Sequence, residues 1–591
     1  MVAVGNLNKF LEEQNARKAD RLLAAPALIS QAKRKLALKE TDSASKDVDA
    51  ALNFNPDLPD ANLMKAQLLV YGRKYSDSQS FLKKYLSLQP NDKDAAELLK
   101  LAEEGAKKGQ SLGLDVKTAN VFGRQGLLPQ AGELAGATKN LHEIYRKRLR
   151  EQWNLPNNTL GELVFTVDND GFFHIKDLYF ESPISAKSKL SLEPLRGMPL
   201  KTIDLHNLYT KVDDLGPLKG MPLEHVNLSG CSKIADLNAL AGCPLKYLNI
   251  YETSVNDISM LDTSHLQYLD IVRIQVTDIS VLKGAPLTFL NLVDCKVSKI
   301  DALKGAPLEE LSLFAVPVSD IQPLSGAPLK KLNLWRTKVD NISSLRNMPL
   351  EYLDIGFTNI KEISVLKGMK LQTLNLFQTN VADISPLQGM PLEALNLSLL
   401  KITDLAVLKG MPLKKLTLWH TSNISDLSPL KGMRLEELDI DGTQVRDISV
   451  LKGMPLRKLF FYGQPIADPT LLQGMPLEHL SLVNTEIQDL SVLKGMKLKY
   501  LDLSNTKISS IDVLRGIPLE ILRLEGCSNL NDLRPLLDCP KLQILIVPSH
   551  LQDIEYLRSI KSLKQIDIKG HGGRGDWRAV RTAEQFWKDW K

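Results

Sequence analysis

Residues 371–391 read LQTLNLFQTNVADISPLQGMP, and this unit recurs in register along most of the chain. Its leading leucines are Leu200, Leu223, Leu245, Leu266, Leu287, Leu308, Leu329, Leu350, Leu371, Leu392, Leu413, Leu435, Leu456, Leu477, Leu498, Leu519, Leu542 and Leu563. They are spaced by 21 residues almost throughout, with one or two extra residues after Leu200, Leu223, Leu413 and Leu519. Internal periodicity of this kind outranks any local reading, because it says that one structural unit is repeated. In the copy that starts at Leu287, period-two alternation puts Leu290 and Leu292 on one face of a short strand. Val297, Ile300 and Leu303 carry the apolar set round the back. A single coil cannot bury that set, but stacked coils can.

The back of each coil has its own punctuation. In Asp383-Ile384-Ser385-Pro386-Leu387, Ser385 is expected to N-cap a short helical turn whose first position suits Pro386. Gly389 then ends the turn where a left-handed residue is wanted, as Gly368, Gly410 and Gly432 do in other copies. Pro391 sends the chain extended into the next strand. A unit of 21 residues leaves no room for a full helix, so short 3-10 turns are predicted on the convex side. The resulting expectation is a continuous right-handed α/β solenoid with a parallel inner sheet.

A second period precedes the first. Pro56 and Pro90 are 34 residues apart, and Ala66, Leu69, Tyr75, Ser78, Leu82 and Tyr85 take the small and apolar positions between them. Ala32, Ala44, Val48 and Ala51 fill equivalent slots one period earlier. This is the pattern of a tetratricopeptide repeat, a pair of antiparallel helices. The organisation read from these periods is a helical extension over 1–24 and tetratricopeptide-like repeats over 25–108. A linker over 109–160 is expected to contain a helix, 127–153, ending in the basic run Arg146–Arg150. A cap hairpin occupies 161–199, turning at Asp168-Asn169-Asp170-Gly171. The leucine-rich solenoid spans 200–568. A capping helix over 569–591 places Trp577, Val580, Ala583, Phe586, Trp587 and Trp590 at helical spacing. The helical module is expected to bind a second protein or to dock on the solenoid.

Composition narrows the function. The 74 basic and 69 acidic side chains nearly cancel, leaving a net +5 with no basic stripe, which argues against nucleic acid. The first residues lack the apolar core of a secretory leader, and no apolar run approaches the ~20 residues that span a bilayer. A cytoplasmic protein without membrane insertion is the expectation, whereas a longer native N-terminus would allow export or tethering. Five cysteines, with no C-x-x-C, indicate neither a disulfide framework nor a zinc site. Cys231, Cys295 and Cys527 occupy the slot that holds Thr337, Thr379 or Thr443 elsewhere, which points into the coil. No phosphate loop, kinase signature or H-E-x-x-H motif occurs, and the nine histidines are scattered. The glycine-rich run His571–Asp576 reads as a hinge, and Thr166–Asp177 lacks the ligand set of a calcium loop. No enzyme activity, cofactor or metal is expected.

What stands out lies on the strands. Just past the strand leucines, on the expected concave face, are Tyr251, Phe314, Trp335, Phe377, Trp419 and Tyr462, with Arg336, Phe357 and His420 one position further on. Aromatics make up 6% of the chain, so this placement is not compositional. Beside them runs a polar row that includes Asp270, Asn291, Asn333, Asp354, Asn375, Asn396, Asp439 and Asp502. Two readings compete: stacked cross-strand pairs that stabilise the sheet, or the aromatic and arginine anchors of a protein or peptide interface. A glycan is the lesser alternative.

The repeat units resemble those of the internalin-like class of bacterial leucine-rich repeats, which also read L-x-x-L-x-L with D-I-S-P-L behind. The chain departs from that class in placing Thr or Cys where Asn is usual. It is also similar to the K-G-M-P-L arrays that follow bacterial receptor-like serine/threonine kinases. There, helical repeats precede the array and an A-E-x-F-W tail follows, as in Ala583-Glu584-Gln585-Phe586-Trp587. The resemblance implies a binding scaffold, or alternatively the sensing and docking region of a kinase whose catalytic domain is absent here.

Overall fold

A computed structural model describes residues 2–109, 112–134, 165–167, 173–175, 191–196, 198, 200–206, 212–463, 468–569 and 581–590. The chain forms two compact units. One comprises residues 1–297 with 301–306, the other residues 307–591 with 298–300.

The first unit begins with helices. Helix α1 (Val2–Ala37) runs through Pro26 and is followed by α2 (Thr41–Phe54), α3 (Pro59–Tyr71), α4 (Tyr75–Leu88), α5 (Lys93–Lys108), α6 (Leu112–Arg124) and α7 (Leu128–Leu134). Most small and apolar positions of the 34-residue period are buried between these helices, with Leu69 half-buried. Ala32, Ala44, Val48, Ala51, Ala66 and Leu82 are wholly buried. Gly105 on α5 lets the Tyr75 ring pack against its backbone, since a Cβ there would fall 2.7 Å from the ring. Residues 135–153 of the expected basic helix lie outside the described residues.

The repeats of this unit start with β1 (Phe165–Val167), which pairs antiparallel with β2 (Phe173–Ile175). The expected turn at 168–171 is outside the described residues. From β2 onward pairing is parallel, through β3 (Leu200–Asp204), β4 (His225–Asn227), β5 (Tyr247–Asn249), β6 (Tyr268–Asp270) and β7 (Phe289–Asn291). The α1 end of the helical module lies against these coils, with the Arg34 guanidinium about 3.8 Å from where a Cβ on Gly242 would stand.

The second unit holds β8 (Glu310–Ser312), β9 (Lys331–Asn333), β10 (Tyr352–Asp354), β11 (Thr373–Asn375), β12 (Ala394–Asn396), β13 (Lys415–Thr417) and β14 (Glu437–Asp439). It continues with β15 (Lys458–Tyr462), β16 (His479–Val483), β17 (Tyr500–Asp502), β18 (Ile521–Arg523), β19 (Ile544–Ile546) and β20 (Gln565–Asp567). Each strand pairs parallel with the next and keeps its leucine opposite its neighbour's, as in Leu332↔Leu353 and Leu353↔Leu374. Leu329, Leu332 and Leu334 are fully buried, as are their counterparts Leu350, Leu353 and Ile355. Constant register follows from this stripe, because a one-residue slip would turn every leucine to solvent.

Between strands lie the predicted 3-10 turns, such as Ser385–Leu387. Gly389 ends that turn at φ 70°, a conformation only glycine adopts without strain. The cap differs from expectation. Ser385 is already inside the turn, and its N–H donates to Asp383 Oδ1 at 2.8 Å. Asp383, one residue before the N-cap Ile384, thus supplies the side-chain acceptor for the start of the turn, and Asp278, Asp320, Asn341, Asp404, Asp426, Asp447 and Asp489 act the same way in other coils. The Thr/Cys slot points inward as read. Thr337 Oγ1 donates to Leu334 O of its own coil at 2.7 Å, and Cys295 Sγ to Ile271 O of the preceding coil at 2.9 Å. Burial pushes the Cys295 thiol up to about 11, which keeps it protonated and unreactive.

The last coil is covered by the tail. Thr582 forms a capping box with Gln585 at the start of α8 (Ala583–Asp589), and Ala583 N–H donates to Lys564 O at 2.8 Å. Arg581 grips both oxygens of Asp567, and Phe586 is wholly buried. Trp577 and Val580 lie outside the described residues.

Candidate functional site

Strand alternation builds the candidate face. With Leu332 and Leu334 turned into the core, Asn333 and Trp335 turn outward, and every coil repeats the choice. The polar row then fixes the backbone. Asn333 Oδ1 accepts the Trp335 N–H at 2.9 Å, Asp354 Oδ1 that of Gly356 at 3.0 Å, and Asn375 Oδ1 that of Phe377 at 3.0 Å. The residue after each of these is left-handed, and its N–H crosses to the next coil. Arg336 N–H donates to Gly356 O at 2.9 Å and Phe357 N–H to Phe377 O at 2.8 Å. The row is therefore a structural device, and its oxygens are committed to the chain. Among its acids, burial pushes the carboxyls of Asp270 and Asp354 above the usual range, against the opposing pull of their N–H donors.

Over this frame the aromatics interlock. Phe314 and Trp335 stack at 6.4 Å with planes 4° apart, and Phe377 and Trp419 at 5.9 Å with planes 9° apart. Trp335 and Phe377 belong to coils two apart, yet their centroids are 5.3 Å apart. Gly356 in the intervening coil makes that possible, for a Cβ there would sit 2.4 Å from Trp335 Cε3 and Cζ3. Fully buried Ser398 fills the equivalent place under Phe377 and Trp419. Phe357 joins from the neighbouring row, 5.1 Å from both Trp335 and Phe377, and His420 meets the Trp419 ring edge-on at 4.6 Å. The rings are half-buried, and Phe357 is 41% exposed.

Of the residues singled out from sequence, Phe314, Trp335, Phe357, Phe377, Trp419 and His420 come together, with exposed Arg336 on their flank. Tyr462 does not adjoin them in the column, because buried Asp441 holds the intervening slot. Tyr251 belongs to the first unit, where its hydroxyl donates to Glu252 at 2.7 Å beside Arg273.

Three features escaped the sequence reading. The first is the left-handed slot itself. In coils after the aromatic stretch it holds Gly442, Gly463, Asn484, Asn505 and Gly526, which tolerate positive φ. Through the stretch it holds Ala315, Arg336, Phe357, Gln378, Leu399 and His420, at φ between 51° and 60°, and in the coils before it Glu252, Arg273 and Asp294 are left-handed as well. A side chain in that conformation costs about 1–2 kcal/mol per residue. The second is a ring ladder in the first unit, where Tyr247, Tyr268 and Phe289 stack at 4.3 Å and 4.2 Å with His225 at one end. Its sequence signal is the residue just before the second leucine of each repeat unit, as Tyr247 before Leu248. The third is a charge ladder. Lys330 pairs with Glu309 and Lys331 with Glu310, Lys415 and Lys458 share Glu437, and Lys414 pairs with Glu393, so the strand face neutralises itself.

Among the described residues, no group of three or more His, Cys, Asp or Glu is placed to hold a metal ion. No described helix is long and apolar enough to cross a membrane.

Parallel one-strand coils of near-constant length, with leucines inward and 3-10 turns behind, define a leucine-rich-repeat protein. No family model and no curated relative matches the chain. Among solved structures it is similar to an internalin, inlF, from Listeria monocytogenes. That match is 24% identical, covers 54% of this chain and 85% of that one, and has a TM-score of 0.34. InlJ of the same organism matches at 20% identity over 56% of this chain and 70% of its own, with a TM-score of 0.38. A structure of the mouse RP105/MD-1 complex matches at 19% identity over 64% of this chain and 76% of that one, also at 0.38.

Proposed function

We propose that this chain is a non-catalytic protein-binding scaffold whose partner lies across the outward sheet face from Phe314 to His420. The observation that carries the reading is the left-handed row. Stacked rings alone would be explained as sheet stabilisation. Large side chains at Arg336, Phe357, Gln378 and Leu399 are not, since glycine or asparagine would serve the backbone better and does so in later coils. Strain kept where it gives no folding benefit points to a role in recognition. The ring geometry favours protein over glycan, because the stacked faces of Phe314, Trp335, Phe377 and Trp419 cover one another. Ring edges beside an arginine suit the side chains of a protein anchor.

A cytoplasmic location fits five unpaired, buried cysteines. The docking region of a bacterial kinase remains the second reading, favoured by the helices before the array and the Ala583–Trp587 tail. A kinase reading frame adjoining the gene would support it.

The test is site-specific photo-cross-linking in the native cell. A photoreactive phenylalanine at position 357 should give a discrete adduct that Trp335→Ala abolishes, while one at exposed Leu537 should not. Identical adducts from both positions, or none from 357, would refute the assignment.

A further inference from the structure

The left-handed row carries arginines in both units, and their surroundings differ. In the first unit the row reads Glu252, Arg273, Asp294, and Arg273 is bracketed by two carboxylates, at 2.6 Å from Glu252 and 3.5 Å from Asp294. In the second unit it reads Ala315, Arg336, Phe357, so the same place in the coil has no acid on either side. Arg336 is exposed and has no ion pair among the described residues. The lysines of the nearby strands are otherwise engaged: Lys331 with Glu310, Lys415 and Lys458 with Glu437. Beside this guanidinium stand exposed Phe357 and the Trp335–Phe377 contact. The polar row adds direction, because the side-chain oxygens of Asn333 and Asn396 are taken by backbone N–H groups, which leaves their amide nitrogens as donors, whereas Asn375 Nδ2 is spent on Asp354 Oδ2 at 3.0 Å.

We infer that the partner is a protein segment that presents an Asp or Glu carboxylate to Arg336 and, next to it, an apolar side chain to Phe357 and Trp335. This rests on the reading of the face as a partner surface. A carboxylate takes both prongs of a guanidinium, which fixes orientation as well as affinity. An exposed arginine in a left-handed conformation, flanked by Ala315 and Phe357 in place of acids, is a cation available to an outside anion. The side-chain amides of Asn333 and Asn396 then meet carbonyl oxygens along the same segment.

The probe is a phage-displayed library of random linear peptides, panned on the full chain and counter-selected on the Trp335→Ala chain. Retained peptides should share an acidic residue beside an aromatic or aliphatic one. Synthetic copies should bind Arg336→Gln roughly tenfold or more weakly than wild type, and Arg336→Lys should restore only part of the loss. Arg336→Glu should instead retain peptides with a basic residue at the shared position. Because Arg336 is exposed, unchanged melting of these variants is the control for folding. Peptides that require Trp335 but share no acid, or that bind Arg336→Gln as well as wild type, would overturn the carboxylate inference alone. Failure to obtain any peptide that distinguishes wild type from Trp335→Ala would overturn the binding face itself, and the inference with it.

Discussion

Gly356→Ala isolates the contact on which the aromatic column depends. The new Cβ would stand 2.4 Å from Trp335 Cε3 and Cζ3 and 3.3 Å from Asp354 Oδ1. Non-bonded carbons settle at about 3.5–4.0 Å, so the indole must withdraw by more than about 1 Å. Withdrawal opens the 5.3 Å contact with Phe377 and the 5.1 Å contact with Phe357. An aromatic pair contributes about 0.5–1.5 kcal/mol beyond its buried area, and overpacking costs about 1–3 kcal/mol. Relief by a half-buried ring places the expected loss near 1–2 kcal/mol, read by chemical denaturation. Gly356 is not left-handed, so alanine brings no backbone penalty of its own. In a Trp335→Ala background the clash disappears, and Gly356→Ala should become neutral or slightly stabilising. Near-ultraviolet circular dichroism should lose tryptophan signal in the single variant. An equal loss of stability in both backgrounds would refute the packing argument.

Arg336→Gly should raise stability by about 0.5–1 kcal/mol in denaturant melts, because glycine relieves the left-handed strain, while partner binding falls. If stability drops instead, the slot is not strained. Asp270→Asn should stabilise the protein near neutral pH. Its folded-state pKa is raised by burial, so its contribution is favourable below the unfolded value of about 3.9 and is lost as pH rises through the folded one. Melting curves of the two proteins should therefore converge in acid and separate towards neutrality. Phe586→Ala should destabilise the C-terminal coils by about 3–5 kcal/mol and speed amide exchange at β20, since the ring is fully buried under the tail. Unchanged exchange there would contradict the cap.

The repeats were legible because leucine spacing and burial are the same fact: Leu332, Leu334 and their counterparts are apolar at a fixed period and have nowhere to go but inward. Gly389 and Pro386 were legible because φ restricts residue type at both. The cap was misassigned for a local reason. Asp383 and Ser385 are both good cappers two residues apart, and only the backbone shows that the Ser385 N–H is the one received. The aromatic slot could be read from its column of rings, but what holds the column together could not. Gly356 looks like any small residue until Trp335 is found leaning over it. The left-handed row was invisible because arginine, phenylalanine and leucine do not announce positive φ. They adopt it here because each N–H is captured by the next coil, as Arg336 N–H is by Gly356 O.

The central claim is that the aromatic column serves binding more than folding, and one paired measurement tests it. Affinity for the cross-linked partner and melting temperature should be determined on Trp335→Ala, Trp419→Ala and, as the core reference, Leu376→Ala. Leu376 is wholly buried, and its truncation should cost about 2–5 kcal/mol of stability. The two tryptophan variants are expected to melt well above Leu376→Ala and to bind roughly thirtyfold more weakly than wild type, the equivalent of about 2 kcal/mol for an interface anchor. Tryptophan variants that melt as low as Leu376→Ala while binding with wild-type affinity would show that the column is part of the fold and that the partner lies elsewhere.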